Sequence, residues 1–320
     1  MLVNKFKIIK QNYIIALCVF IITLIISPYY VYQDQFHYIK IYNGLKDLDL
    51  INAYLYYINN IDSKEVVHFF FSWIGSNLSI NKVIFFAFVN AYLAFIAIKL
   101  MRQLNASIYI ISLIVLSNFY FYVFYFSAER LKFAVIFFIL SALYKNKVYL
   151  YSLLSIFAHS QFIIIYSAIL FKKFNTSFIR SINNKKISIR SLLVVFATLI
   201  ILYTVYYFLY EHLVGKYLSY AVSNIGDSFF NLLKVSIFFL MTLAYSRKKQ
   251  EVVFLYFVLF IATTIIGGER LNMFGYFIFL YYALQVNKGI NFGVITTSIY
   301  FLFKTYGFVS NVFLYGMGFH

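Results

Sequence analysis

The sequence contains very little proline or cysteine and few charged residues. It has one proline and one cysteine among 320 residues, so an intrachain disulfide is excluded. Only 12% of its residues are charged, which is about half the share found in an average soluble domain. Acidic residues are scarce, with 10 Asp and Glu against 27 Lys and Arg. Because 63% of the chain is hydrophobic, more than a water-soluble core can bury, the composition predicts an integral membrane protein.

The apolar runs also lack the alternation of polar and apolar residues that marks the strands of a membrane barrel. We therefore predict an all-α polytopic membrane protein with about nine to eleven transmembrane helices and one or two short or re-entrant segments. No soluble domain can be separated, so residues 1–320 are predicted to form a single transmembrane domain. Residues 31–65 are predicted to form an external helical segment, and residues 66–80 are too short for a relaxed span.

The excess of basic residues has two interpretations that the sequence leaves open. It can reflect lysines in cytoplasmic loops, or attraction to anionic lipids or a phosphate-bearing substrate. Binding to nucleic acid is not expected, because the basic residues are dispersed among the apolar runs. The most basic stretch, residues 172–190, is predicted to be a cytoplasmic loop.

The orientation of the chain depends on one choice. Lysines near the start predict a cytoplasmic N-terminus. If every apolar run except 66–80 crosses once, the basic loop 172–190 falls outside, against the positive-inside tendency. Either 66–80 also crosses, or the segment 148–171 turns back at His159. We favour the second, which leaves Arg130, His159, Arg270 and the 31–65 segment on the external side.

Two Glu-Arg pairs are the strongest candidates for chemistry. Glu129-Arg130 follows a long uncharged run, and Glu269-Arg270 follows another. Charges at that depth cost about 2.5–3.5 kcal/mol each at a membrane helix centre. A guanidinium stays charged in an apolar site and binds phosphate with two parallel hydrogen bonds. The alternative is an arginine that reaches lipid headgroups or pairs with the neighbouring glutamate.

A histidine and a stripe of polar side chains are further candidates. His159 interrupts an apolar run and is either a structural hydrogen-bonding group or a general base. Asp34, Tyr38 and Tyr42 are spaced to share one helix face, which is either an exposed amphipathic surface or a sugar-binding stripe. No role is assigned to His68 or His212. No metal-binding spacing and no phosphate-binding glycine loop is found.

The order of these motifs resembles a known family, the EpsG branch of the Wzy-type polysaccharide polymerases of bacterial capsule, exopolysaccharide and O-antigen synthesis. The matching elements are Asp34-x3-Tyr38-x3-Tyr42, Glu65, Arg130-x3-Ala134, Phe157-Ala158-His159-Ser160, Glu269-Arg270-Leu271 and Tyr276-Phe277. The family commonly has Gln directly after the first arginine, where this chain has Leu131.

The resemblance implies a multi-pass glycosyltransferase of the bacterial cytoplasmic membrane. It would join undecaprenyl-diphosphate-linked repeat units, both donor and acceptor, at the outer face, without a metal or other cofactor. Flippase and chain-length regulator proteins are the implied partners, along with the lipid bilayer. The implied catalytic residues are Arg130, His159, Arg270 and Asp34. The implied substrate-binding residues are Tyr38, Tyr42, Glu65, Glu129, Glu269 and Tyr276.

Two other classes of function stay open at this stage. A flippase or exporter of lipid-linked oligosaccharides would also use apolar helices with cations along a central path, but would normally have two related halves. A membrane acyltransferase that modifies a surface glycan would need a buried catalytic histidine, which His159 could supply.

Overall fold

The chain is all-helical in the computed structural model, which describes residues 2–61, 65–183, 203, 225–266 and 269–319. This part of the chain forms fourteen α-helices and no strand, which confirms the predicted all-α class. The helices are α1 Leu2–Ile26, α2 Asp34–Gly44, α3 Leu50–Ile61, α4 Val66–Asn77, α5 Lys82–Gln103, α6 Ile108–Ser117, α7 Phe119–Tyr122, α8 Glu129–Leu143, α9 Val148–Ala158, α10 Phe162–Asn183, α11 Ile225–Tyr245, α12 Lys249–Ile266, α13 Glu269–Ala283 and α14 Phe292–Tyr315.

Several helices are long and apolar enough to cross a membrane. Among the described residues, three segments meet this condition by themselves: Lys10–Tyr29, Lys82–Gln103 and Asn287–Tyr315. Two bent pairs raise the number to five if each pair counts as one span. The chain is therefore a helical membrane protein. The predicted span 192–210, apart from Tyr203, lies outside the described residues, as do residues 184–190 of the predicted basic loop and Gly267-Gly268.

Contacts divide the chain into two compact units. The first comprises Met1–Phe162 and Leu284–His320, and the second comprises Ile163–Ala283. In the first unit α1 packs along α5, and α8 packs along α9. In the second unit α11 packs against α13 and α12.

Polar side chains set where several helices begin. The side chain of Asn81 accepts a hydrogen bond from the amide of Val83 and starts α5. Ser107 and Asn118 do the same for α6 and α7. Such caps satisfy backbone amides that have no partner within the helix. They explain why long apolar runs are cut into separate helices at single polar residues.

Two of the apolar runs bend sharply. The run 108–127 turns by 51° at Asn118 and then forms a π-helical turn over Val123–Ser127. The run from Glu129 to Ala158 turns by 119° at a short 3-10 helix, Lys145–Lys147. Helix α9 therefore folds back against α8, and its last residue returns to the level where α8 begins.

The segment 31–65, predicted to be helical, contains two helices, α2 and α3. Helices α2 and α3 pack through a core of Ile41, Leu45, Ala53 and Tyr57, which Phe69 of α4 completes. Helix α4 has 12 residues and is about 18 Å long, well short of the roughly 30 Å hydrocarbon core. The interruption that the sequence predicts near His159 is present, since α9 ends at Ala158 and α10 begins at Phe162. Helix α10 then continues to Asn183, into the stretch predicted to be a basic loop.

Candidate functional site

Four side chains from four separate segments meet at the first turn of α8. The guanidinium of Arg130 lies 3.1 Å from a carboxylate oxygen of Glu65, through Nη1. The other carboxylate oxygen of Glu65 lies 3.1 Å from Nδ1 of His159. Nε of Arg130 donates a hydrogen bond to the hydroxyl of Tyr38, at 3.2 Å. We call these four residues the arginine cluster.

Local structure explains how the arginine cluster forms. Arg130 lies in the first turn of α8, and Glu65 is the residue just before α4. The return of α9 against α8 brings His159, which has an extended backbone after the last turn of α9, next to them. Burial is graded: the side chain of His159 is 6% exposed, that of Glu65 13% and that of Arg130 25%. The arginine is thus the member most open to a ligand.

A second group of polar residues surrounds Glu129, the neighbour of Arg130. One carboxylate oxygen of Glu129 accepts hydrogen bonds from Lys82 at 2.7 Å and from Gln35 at 2.9 Å. Lys82 also donates to Oε1 of Gln35 at 2.7 Å. The other oxygen of Glu129 lies 3.4 Å from Nε2 of His68. The hydroxyl of Tyr57 lies 3.0 Å from Nδ1 of His68, and these five residues form what we call the glutamate network.

The contacts of His68 indicate which ring nitrogen carries the hydrogen. A carboxylate can only accept, so Nε2 of His68 carries the hydrogen that points toward Glu129. Nδ1 then accepts from the hydroxyl of Tyr57. Burial lowers the pKa of His68 below its ordinary value, against the opposing effect of Glu129. The ring is therefore neutral and serves as a fixed connection between α3, α4 and α8.

A second lysine helps to balance the buried carboxylate. Lys132 is fully buried, one turn along α8 from Glu129. Its ammonium donates to the carbonyl of Tyr125 at 3.1 Å and lies 4.9 Å from the ring centre of Phe86. The π-helical turn before α8 frees that carbonyl, because a wider turn leaves backbone acceptors outside the regular helical pattern.

Tyr38 connects the two groups. Its hydroxyl contacts Arg130, and its ring packs against His68 with ring centres 5.3 Å apart. Burial raises the pKa of Tyr38 to about 12, an effect that Arg130 partly offsets and Asp34 adds to. Tyr38 therefore stays a neutral phenol at physiological pH and holds the guanidinium in one orientation.

A cavity of about 330 Å³ adjoins the glutamate network. Its polar lining consists of Ser27, Gln35, Tyr42, Asn43, Asn81, Lys82 and Glu129, and its aromatic lining of Tyr30, Phe86, Tyr125 and Phe126. Among the described residues, no three His, Cys, Asp or Glu side chains come close enough together to hold a metal ion. The polar lining of the cavity thus consists of amides, hydroxyls and one lysine–glutamate pair.

The structure brings five of the ten predicted site residues into one place. These are Tyr38, Glu65, Glu129, Arg130 and His159.

The other residues on the predicted stripe lie nearby but make different contacts. Asp34 is exposed in the first turn of α2, one turn before Tyr38. Tyr42 is buried, and its hydroxyl donates to the carbonyl of Ile80 at 3.0 Å, so it joins α2 to the start of α5 while lining the cavity.

The remaining three predicted residues belong to the second unit. Glu269 and Arg270 begin α13, and the side chain of Arg270 is exposed. Tyr276 is fully buried, and its ring packs against Phe238 and Phe279 with ring centres 5.5 and 6.1 Å away. Their functional roles stay predictions.

The sequence analysis does not identify four residues of the glutamate network, namely Gln35, Tyr57, His68 and Lys82. Lys82 resembles an ordinary boundary lysine because it directly precedes a long apolar run. Gln35 lies three residues before Tyr38, a spacing that places both on one helix face, and this was the available signal. His68 has no local motif, and its partner Glu129 lies 61 residues away.

No known protein family, curated protein or solved structure matches the chain. Function must therefore be argued from the site. In the arginine cluster, the carboxylate of Glu65 lies within hydrogen-bonding distance of both a fixed cation and an imidazole. Such a set can hold a phosphate-bearing group and accept a proton from a hydroxyl beside it.

Proposed function

We propose that this protein is a glycosyltransferase that polymerises undecaprenyl-diphosphate-linked oligosaccharide repeat units at the outer face of the bacterial cytoplasmic membrane. One observation carries the proposal: Arg130, Glu65, His159 and Tyr38, which come from four segments of a membrane protein, contact one another in one cluster. The order of sequence motifs that resembles the EpsG branch of the Wzy-type polymerases supports the same function.

The reaction requires a cation at the leaving group. The hydroxyl oxygen of the acceptor sugar forms a bond to the anomeric carbon of the donor, while the bond from that carbon to the diphosphate oxygen breaks. The electron pair leaves with undecaprenyl diphosphate, whose negative charge grows in the transition state. Arg130 would stabilise that charge from a site held rigid by Tyr38 and Glu65. Arg270 is the second cation that the sequence motifs predict for this role.

The reaction also requires an acceptor for the hydroxyl proton. The Glu65–His159 pair is the best-placed group, since it adjoins Arg130 and is shielded from bulk solvent. The carboxylate orients the imidazole and stabilises its protonated form after it takes the proton. Asp34 is exposed on α2 and would take a less direct part.

The test is a deletion strain complemented with single variants, with lipid-linked glycans resolved by length. Arg130→Ala should reduce polymer by about a hundredfold or more, as loss of one transition-state donor does. Single repeat units should accumulate on lipid at the outer face. Arg102→Ala is the matched control, because Arg102 lies at the C-terminal end of α5 and its guanidinium donates to Gln11 and Asn12 of α1.

Other outcomes would assign another function. Polymer of normal length in Arg130→Ala would reject the proposed site. Repeat units that stay on the inner face in the deletion strain would indicate a flippase. A normal polymer that lacks acyl groups would indicate an acyltransferase. Arg270→Ala tests the second cation separately and should give the same lipid-linked product as Arg130→Ala.

A further inference from the structure

The cavity beside the glutamate network is lined by none of the four residues of the arginine cluster. It lies between the end of α1, one face of α2 and the start of α5, with Glu129 at its wall. Its volume of about 330 Å³ falls at the small end of the range for ligand pockets, which is roughly 300–1,000 Å³. A cavity of this size accepts one small ring system and not a long chain.

The charges at the cavity wall indicate a neutral ligand. The two ionised groups that line it, Lys82 and Glu129, are 2.7 Å apart and compensate each other. An anion would gain from Lys82 and the start of α5 but would be repelled by Glu129. A hydroxyl group can instead donate to the carboxylate and accept from the ammonium, so it satisfies both members of the pair.

The remaining lining favours a ring with several hydroxyl groups. Lys82 has three donors, of which the described residues take two, on Gln35 and Glu129. The amides of Asn43 and Asn81 add further hydrogen-bonding groups at the rim. The other walls combine aromatic rings, including that of Tyr42, with aliphatic side chains such as Ile39 and Val83. Paired polar groups beside aromatic surfaces match the two kinds of surface that a pyranose presents.

We propose that this cavity is a binding subsite for a neutral pyranose ring, and that this ring is a sugar of the acceptor repeat unit. The assignment to the acceptor rests on the proposed polymerase function, whereas the binding of a pyranose does not. Glu129 and Lys82 act here as binding residues. Glu129 lines the cavity and Arg130 is the next residue along α8, so a sugar bound here would lie near the arginine cluster, where the acceptor is needed.

Binding can be measured without any assay of polymer. Saturation-transfer NMR on the purified full-length protein in lipid nanodiscs would use methyl glycosides of glucose, galactose and N-acetylglucosamine as probes. Ile39→Trp on α2 and Val83→Trp on α5 would fill the cavity from two different helices without removing a polar partner. Phe36→Trp is the matched control, since Phe36 is exposed on the same helix. Each filled variant should bind the preferred glycoside at least about tenfold more weakly, while Phe36→Trp should match the wild type.

Three results would overturn the subsite. They are absence of saturation transfer in the wild type, unchanged binding in both filled variants, and displacement of the glycoside by inorganic phosphate or glycerol phosphate, which would define an anion site. The polymerase proposal fails by a different result, namely normal polymer in Arg130→Ala. If Arg130→Ala makes normal polymer but the filled variants lose glycoside binding, the polymerase proposal is rejected. The pyranose subsite then stands, and only its assignment to the acceptor is rejected.

Discussion

Replacing the buried carboxylate of the glutamate network tests the electrostatic reasoning most directly. Glu129→Gln keeps the size and most hydrogen-bonding geometry of the side chain but removes its charge. Lys82 and Lys132 would then remain in the protein interior without a compensating anion. The side chain of Lys82 is 14% exposed and Lys132 is fully buried, so at most one of the two can be partly hydrated.

The structure sets the expected sizes of the effects. Removing one partner of a buried ion pair costs about 3–5 kcal/mol, and Glu129→Gln should fall in that range because it strands a fully buried lysine. Lys82→Met should cost less, about 2–3 kcal/mol, since it leaves Glu129 with Lys132, Gln35 and His68 as partners. The double variant should be less destabilised than the sum of the two, by a coupling energy of about 1.5–3 kcal/mol.

The assay can use the single cysteine of the chain. Cys18 is partly buried in α1, so a thiol-reactive dye reports unfolding as detergent composition is varied. Lys145→Met is the control, because Lys145 is exposed in the turn between α8 and α9 and should change stability by less than about 0.5 kcal/mol. Strictly additive losses in the double variant would show that Lys82 and Glu129 do not interact, and would refute the electrostatic account of both the network and the cavity.

Three further predictions follow from the same contacts. Glu65→Gln should lower polymer formation by about a hundredfold in the complementation assay, because it removes the proposed partner of the proton acceptor. It should destabilise the fold less than Glu129→Gln, since the side chain of Arg130 is 25% exposed; unchanged polymer would exclude the proposed role. His68 titrates at 6.5 when unfolded, and burial lowers its pKa in the folded protein, so stability should be intact above about pH 6.5 and fall as the pH drops below it; the same pH dependence in His68→Gln would contradict this. Gly75→Ala should destabilise by about 1–3 kcal/mol, since the new methyl group would lie 2.5 Å from the hydroxyl of Tyr42. Gly307→Ala, with open space around it, should instead stabilise α14 by up to about 1 kcal/mol, and equal losses at both glycines would refute the packing argument.

Much of the fold could be predicted because membrane helices require long apolar segments that are visible in the sequence. Uncharged runs predict helices, and a polar tetrapeptide around His159 predicts the break that separates α9 from α10. The length of α4 likewise follows from the short run that encodes it. In contrast, the bend at Asn118 could not be predicted, because a single capping asparagine in an apolar run is common and its effect depends on the packing around it.

Site residues could be predicted when they interrupt an apolar run. They could not be predicted when they lie at the end of such a run. Glu129, Arg130 and His159 could be predicted because a polar or charged side chain beside long apolar runs costs free energy in a membrane. Lys82 could not, since a lysine at the start of a span is ordinary, and only folding shows that it turns inward to Glu129. His68 illustrates the same limit: its role comes entirely from residues distant in the chain, which no local pattern can reveal.

The shortness of the α8–α9 hairpin has a consequence for the surrounding lipid. Helix α8 has 15 residues and α9 has 11, so they are about 22 and 16 Å long, whereas the hydrocarbon layer is roughly 30 Å thick. A hairpin of this length whose basic turn Lys145–Lys147 lies among the headgroups of one leaflet would end, with Arg130 and His159, below the opposite surface. Bilayers generally accommodate a short hydrophobic segment by local thinning, which lowers the headgroups toward it. In the proposed polymerase, the diphosphate of a polyprenyl carrier would then come down to the level of the Arg130 guanidinium at such a thinned site.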